Sequence, residues 1–132
     1  MHLERYKVDD LLLIKPRAGL QYPGFEAALA TENGMGLTAW VGNTPVGAAG
    51  IIRWPLVHEG WVYISDWMAA RPLVFHRLVK VHLLPFARYM RTRELVARVE
   101  PGLPKFAQWP LALGMSWAGY DEDGNLQFRR YF

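Results

Sequence analysis

The sequence predicts a mixed α/β (α+β) chain whose central, mostly antiparallel sheet is flanked by helices. Three features carry that expectation. Three segments rich in strand-forming residues lie between Gly36 and Trp67, separated by turn residues. A long helical stripe from Arg71 to Arg91 then leads directly into another apolar strand. Near the C-terminus an Asp-Gly-Asn turn separates two short strands. Consecutive antiparallel strands followed by a helical crossover require a sheet covered by helices. At 132 residues, with no repeat and no linker, one domain is expected.

The elements follow in order. Met1–Tyr6 alternates as a short strand, and Asp9 stands where it would cap a helix in "DLLLIKPRAG", stopped by Pro16 and Gly19. "FEAALATEN" (25–33) is a second helix, ended by Asn33 and Gly34. "GLTAWV" (36–41) and "VGAAGIIRW" (46–54) flank a four-residue connection, Gly42-Asn43-Thr44-Pro45, and "GWVYISDW" (60–67) completes a meander. In the stripe that follows, Leu78, Val79, Leu83, Phe86, Ala87 and Met90 recur every three or four residues. Pro72 suits its first turn, and Pro85 should kink or interrupt it. "ELVARVEP" (94–101) is a strand, and "LPKFAQWPLALGM" (103–115) is a helix stopped by Gly114.

Composition narrows the chemistry. Apolar residues make up 52% and charged residues 20%, a globular balance, with six each of Trp, Tyr and Phe. The absence of cysteine removes thiolate nucleophiles, disulfides and cysteine metal sites, and it suits a reducing compartment. No signal-peptide pattern and no membrane-length apolar run are present, so an intracellular location is expected. The net charge of +3 is mild, and the basic residues gather between Arg71 and Arg98. Nucleic acid is therefore a lesser alternative as partner. His58, His76 and His82 are scattered and show no metal-ligand spacing, and neither Ser65 nor Ser116 lies in a nucleophile elbow.

Glycines 42, 47 and 50 look at first like a phosphate cradle. Such a loop must run from a strand into a helix N-terminus, whereas here the chain enters another strand. Gly42 is read as a hairpin turn, and Gly47 and Gly50 as a bulge or a close backbone approach. The right order for anion binding comes later, in "SDWMAARPLVFHR" (65–77), with Arg71, His76 and Arg77 near the strand end. Asp66 and Glu59 are available there as general bases, although carboxylates at strand ends are commonly only solvated.

The strings "TAWVGNTPVGAAGIIRW", "GWVYISDWMAARPLVFHRLVKVHLLPFAR" and "LVARVEPGLPKFAQWPLALGMSWAGYDEDGNLQFRRYF" resemble, across nearly the whole chain, the GNAT superfamily of acyl-CoA-dependent N-acyltransferases. More narrowly, "WVYISD", the glycine-free junction after it and the closing turn resemble the GNAT-like proteins of tailed phages, including internal virion proteins. The resemblance implies acetyl-CoA as cofactor, contacted by the strand at Ile64 and Ser65, by amides of Ala69 and Ala70, and by Arg71 and Arg77. Asp66 or Glu100 would deprotonate the amine, and no metal would take part.

The chain departs from the family at two places. Family members cradle the pyrophosphate on a Gln/Arg-x-x-Gly-x-Gly/Ala loop, but Ala69–His76 holds no glycine and includes Pro72, which has no amide hydrogen. Counting back from Gly114, the family's frequent asparagine falls at Leu103 and its tyrosine general acid at Pro110. Tyr120 or Tyr63 would have to replace that acid. The resemblance thus implies a non-catalytic structural or interaction protein of a phage particle, with other protein subunits, virion or homo-oligomer, as partners. An active N-acetyltransferase acting on an amine is the alternative.

Overall fold

A computed structural model describes residues 1–15, 25–100 and 108–132. The predicted stops at Pro16 and Gly19, the helix start around Pro104 and the Leu103 position lie outside the described residues. The strands are β1 (His2–Arg5), β2 (Gly36–Val41), β3 (Thr44–Arg53), β4 (His58–Ile64), β5 (Glu94–Val99), β6 (Ser116–Tyr120) and β7 (Leu126–Tyr131). They form one sheet in the order β1-β2-β3-β4-β5-β7-β6, antiparallel throughout except between β4 and β5. The helices are α1 (Asp10–Leu13), α2 (Phe25–Ala30), α3 (Asp66–Ala69), α4 (Pro72–Leu78), α5 (Leu84–Tyr89) and α6 (Gln108–Ala112), with a π-helical turn, Val79–Leu83, joining α4 to α5. Sheet type matches the expectation, and so does the element order apart from α3, which takes the end of the segment 60–67 read as a strand; β4 itself runs His58–Ile64.

Alternation along the strands builds two cores. On one face Val62 and Ile64 of β4 and Leu95, Ala97 and Val99 of β5 pack with Phe75, Val79, Leu83 and Ala87 of the long helix and with Trp109 of α6. On the other face Trp61 and Tyr63 of β4 pack with Ala48 and Ile52 of β3 under Leu11, Ala27 and Ala28. Polar atoms in that second core are satisfied locally, as buried polar groups require. The Tyr6 hydroxyl donates to the Ala28 carbonyl (2.7 Å), and the Trp61 indole N–H donates to Thr31 Oγ1 (2.8 Å).

Several local expectations are refined. Asp9 sits at the N-cap of α1 but its side chain caps nothing. Its neighbour Asp10 is buried instead and accepts from the Lys7 amide (3.1 Å) and the Thr38 hydroxyl (2.7 Å). The hairpin connection is two residues, Gly42 and Asn43, because Thr44 and Pro45 already pair in β3. Gly42 has φ 59°, a backbone that glycine adopts without penalty. The pairing passes from Ala39↔Gly47 to Trp40↔Pro45, so Val46 is the extra residue of a bulge beside Gly47. At Gly50 an added Cβ would lie 2.7 Å from the Trp61 ring, which is the predicted close approach. Pro85 interrupts the helix through the π turn just before it, since proline has no amide to donate and its ring crowds the preceding turn.

Burial and the Asp10 carboxylate push the Tyr6 phenol well above its ordinary 10.0, and burial raises Tyr63 as well. The unfolded chain therefore loses these protons first as pH rises. Stability is fully present below pH 10 and falls above it. Tyr6→Phe should flatten that alkaline fall in urea-denaturation midpoints. At neutral pH it should cost about 1 kcal/mol for the lost hydrogen bond.

Candidate functional site

The parallel pair β4 and β5 is where the sheet opens. Their pairing runs His58↔Leu95, Glu59↔Val96, Gly60↔Ala97 and goes no further. β4 continues for Trp61–Ile64 and β5 for Arg98 and Val99 beyond that point. The two strands thus part toward their C-terminal ends. The Ser65 amide bonds the Val46 carbonyl on β3 (2.9 Å), so strand alternation turns the peptide groups of Val62 and Ile64 toward the β5 side. Glu100 follows β5 directly, and Asp66 opens α3 one residue after β4 ends, so both residues lie near the parted strand ends.

The apex of the opening is pinned by an ion pair. Glu59 is 5% exposed, and its Oε2 accepts from Arg98 Nε (3.1 Å) and Nη2 (3.0 Å). Its Oε1 accepts from the Trp54 indole (2.9 Å). Arg98 also lies 3.9 Å from Asp121, whose carboxyl is held below its usual range chiefly by hydrogen bonds from Asn125 and Asp123. Glu59 is therefore not a general base: both its oxygens are committed to holding β4 against β5 and Trp54. On the opposite face Trp109, 1% exposed, packs over Gly60 at the same level.

Three amides of the strand-to-helix junction are already bonded within the chain. A short helix, α3, forms where the family would place a phosphate loop. The Ala69 amide bonds the Ser65 carbonyl (2.9 Å), the Ala70 amide the Asp66 carbonyl (3.0 Å), and the Arg71 amide the Met68 carbonyl (3.0 Å). Pro72 follows at the start of α4. The Ala69 and Ala70 amides thus point into α3 rather than toward a ligand. Ser65 Oγ donates to the Val46 carbonyl (2.7 Å), and the Ile64 side chain is buried in the core. The Arg71 guanidinium folds back 3.9 Å over the Trp67 ring and donates to the Trp67 carbonyl (2.7 Å). Arg77 is exposed on α4, about 9 Å further along the helix axis.

The acid positions are equally dispersed. Pro110 is fully buried in α6 and carries no proton to give. Tyr120 is 65% exposed on the edge strand β6 and packs edge-on against Trp117 at 5.8 Å. It lies two strands, roughly 10 Å, from β5. Tyr63 faces away from the opening and packs on Phe25 (5.4 Å) under α2. The Glu59–Arg98 pin joins residues that no sequence motif pairs. The signal available was that Glu59 shares a strand face with buried Trp61 and Tyr63.

Among the described residues no cluster of histidine and carboxylate side chains could hold a metal ion. His58 Nδ1 lies 2.7 Å from Thr92 Oγ1, and burial together with Arg53 keeps its imidazole below the usual range. No described helix is long and apolar enough to cross a membrane.

No protein-family model matches the chain, and no curated protein matches its sequence. Solved structures do share its fold. The GNAT domain of S. lividans PAT aligns over 98% of this chain and 89% of its own, with TM-score 0.67 and 16% identity. An N-acetyltransferase from Staphylococcus aureus aligns over 98% and 96%, with TM-score 0.66 and 9% identity. YncA from Salmonella typhimurium, solved with its cofactor acetyl-CoA, aligns over 73% of this chain with TM-score 0.60 and 17% identity. This chain spans 63% of YncA's length. At these identities the likeness establishes the fold, which is that of GNAT acetyltransferases.

Proposed function

We propose that this chain is a GNAT-fold interaction protein that does not transfer acyl groups, of the kind found among phage virion proteins. The observation that carries this reading is the junction after β4. Its amides at Ala69, Ala70 and Arg71 are consumed by α3, and Pro72 offers none. A pyrophosphate needs several convergent donors, and a helix-internal amide is not one of them. The buried Pro110 supports the same reading, because a proline at the position of the family's tyrosine has no proton to donate. Exposed Trp117, Tyr120 and Tyr131 on the β6–β7 edge suit contacts with other protein subunits.

One observation favours the alternative of an active N-acetyltransferase: β4 and β5 part as they must to admit a pantetheine arm, with Asp66 and Glu100 near the parted strand ends. The two readings separate in a thiol-release assay with acetyl-CoA and a panel of primary amines and amino-terminal peptides. The expected result is release no faster than without protein. Amine-dependent release that Asp66→Asn or Glu100→Gln abolishes would instead establish the enzyme.

A further inference from the structure

A second concave site lies at the opposite end of the molecule. β4 begins at His58 and β5 at Glu94, so the turns entering them are roughly 20 Å from the mouth at Ile64. There the β3–β4 and α5–β5 connections face each other across a groove of about 720 Å³, whose walls include Arg53, Arg91, Arg93, Trp54 and Tyr89. All three arginines are exposed, and none has an ion-pair partner among the described residues. The carboxylate in the groove wall, Glu94, is paired with Arg129 at 2.7 Å. Three arginines without an ion-pair partner among the described residues thus line one groove.

Two aromatic rings share it. Trp54 is fixed by its N–H bond to Glu59 and is 39% exposed, while Tyr89 is 83% exposed. Arg91 adds an independent observation. It is the one described non-glycine residue with positive φ, 56°, at the position after the α5 cap where glycine is favoured. The Thr92 amide bonds the Ala87 carbonyl (3.1 Å) and the Arg91 amide bonds the Arg88 carbonyl (3.0 Å), which completes that cap. A glycine would serve the helix end better, so Arg91 is held there at a cost in conformational energy.

We propose that this groove binds single-stranded nucleic acid. Phosphates pair with Arg53, Arg91 and Arg93, and bases stack on Trp54 and Tyr89. A single strand is favoured over a duplex because aromatic faces reach only bases that are not already stacked on both sides. Of the basic segment between Arg71 and Arg98, only its end, Arg91 and Arg93, lines the groove, where Arg53 joins it from another connection; Arg71 is folded onto Trp67, and Arg77 lies on α4, outside the lining.

The test is fluorescence anisotropy of the full chain with a labelled oligo-dT strand across a salt series. Three phosphate contacts predict a log–log salt slope of about −2 for a single strand. Arg91→Gly should weaken binding and lower the slope by about 0.7 while leaving the thermal midpoint equal or higher, so lost binding cannot be ascribed to lost folding. Tyr89→Ala, at an exposed position, should weaken binding roughly tenfold. The proposal is overturned by any of three results: no binding at low salt, affinity unchanged in both variants, or polyphosphate competing as well as oligo-dT at equal charge.

Discussion

Arg98→Met should lower the unfolding free energy by about 3 kcal/mol, because it strands a buried carboxylate. Glu59 has a side chain only 7% exposed, and without Arg98 the Trp54 indole would remain as the partner of one of its oxygens. The reciprocal change is expected to cost less. In Glu59→Gln the guanidinium keeps Asp121 at 3.9 Å and a quarter of its own side chain in solvent. The double replacement Glu59→Leu/Arg98→Met should recover part of the loss, since an apolar pair pays no desolvation cost. Urea titrations of the three variants measure the asymmetry. Equal losses in the two single variants would show that the pin is not a buried-charge device. Hydrogen exchange should quicken in Arg98→Met at the amides near Gly60 and Ala97, where the β4–β5 pairing ends.

Trp109→Ala is the second large effect, expected at about 3–5 kcal/mol. The ring is 1% exposed and packs over Gly60. α6 has only five residues, too few to persist in water without its tertiary contacts. Removing the indole therefore opens a cavity at the apex of the β4–β5 opening and undocks α6 together. Loss of far-ultraviolet helical signal alongside the stability change would report both. A loss under 1 kcal/mol would mean that α6 is held by something other than Trp109.

Much of the fold was legible because it rests on short-range rules. The Gly42-Asn43 turn, the alternation of the meander, the 3.6-residue stripe and the Asp121–Asn125 turn each depend on neighbours in sequence. The Asp121 carboxylate indeed accepts from the Asp123 and Asn125 amides (both 2.9 Å). Gly114, at φ 71°, ends α6 as its position in the sequence implies.

What was not legible depends on tertiary pairing. Glu59 and Arg98 are 39 residues apart, and the local signal, a strand face shared with Trp61 and Tyr63, marks Glu59 as buried without naming its partner. Tyr63 is one residue from Ile64, yet strand alternation puts it on the opposite face, out of reach of any thioester in the opening. The start of the stripe at Arg71 concealed α3, a single turn that closes the amides of Ala69 and Ala70. The groove of Arg53, Arg91 and Arg93 gathers residues from two connections that only the sheet brings together.

In the proposed function the GNAT fold is kept while the Ala69, Ala70 and Arg71 amides of its strand-to-helix junction are closed from within. Backbone amide chemical shifts of Val62 to Val74, followed by NMR through a titration with acetyl-CoA to millimolar concentration, test it residue by residue. The account predicts no saturable shift at Ala69, Ala70 or Arg71. Saturable shifts at those amides, with matching changes at Val62, would show α3 opening to receive the cofactor and would contradict it.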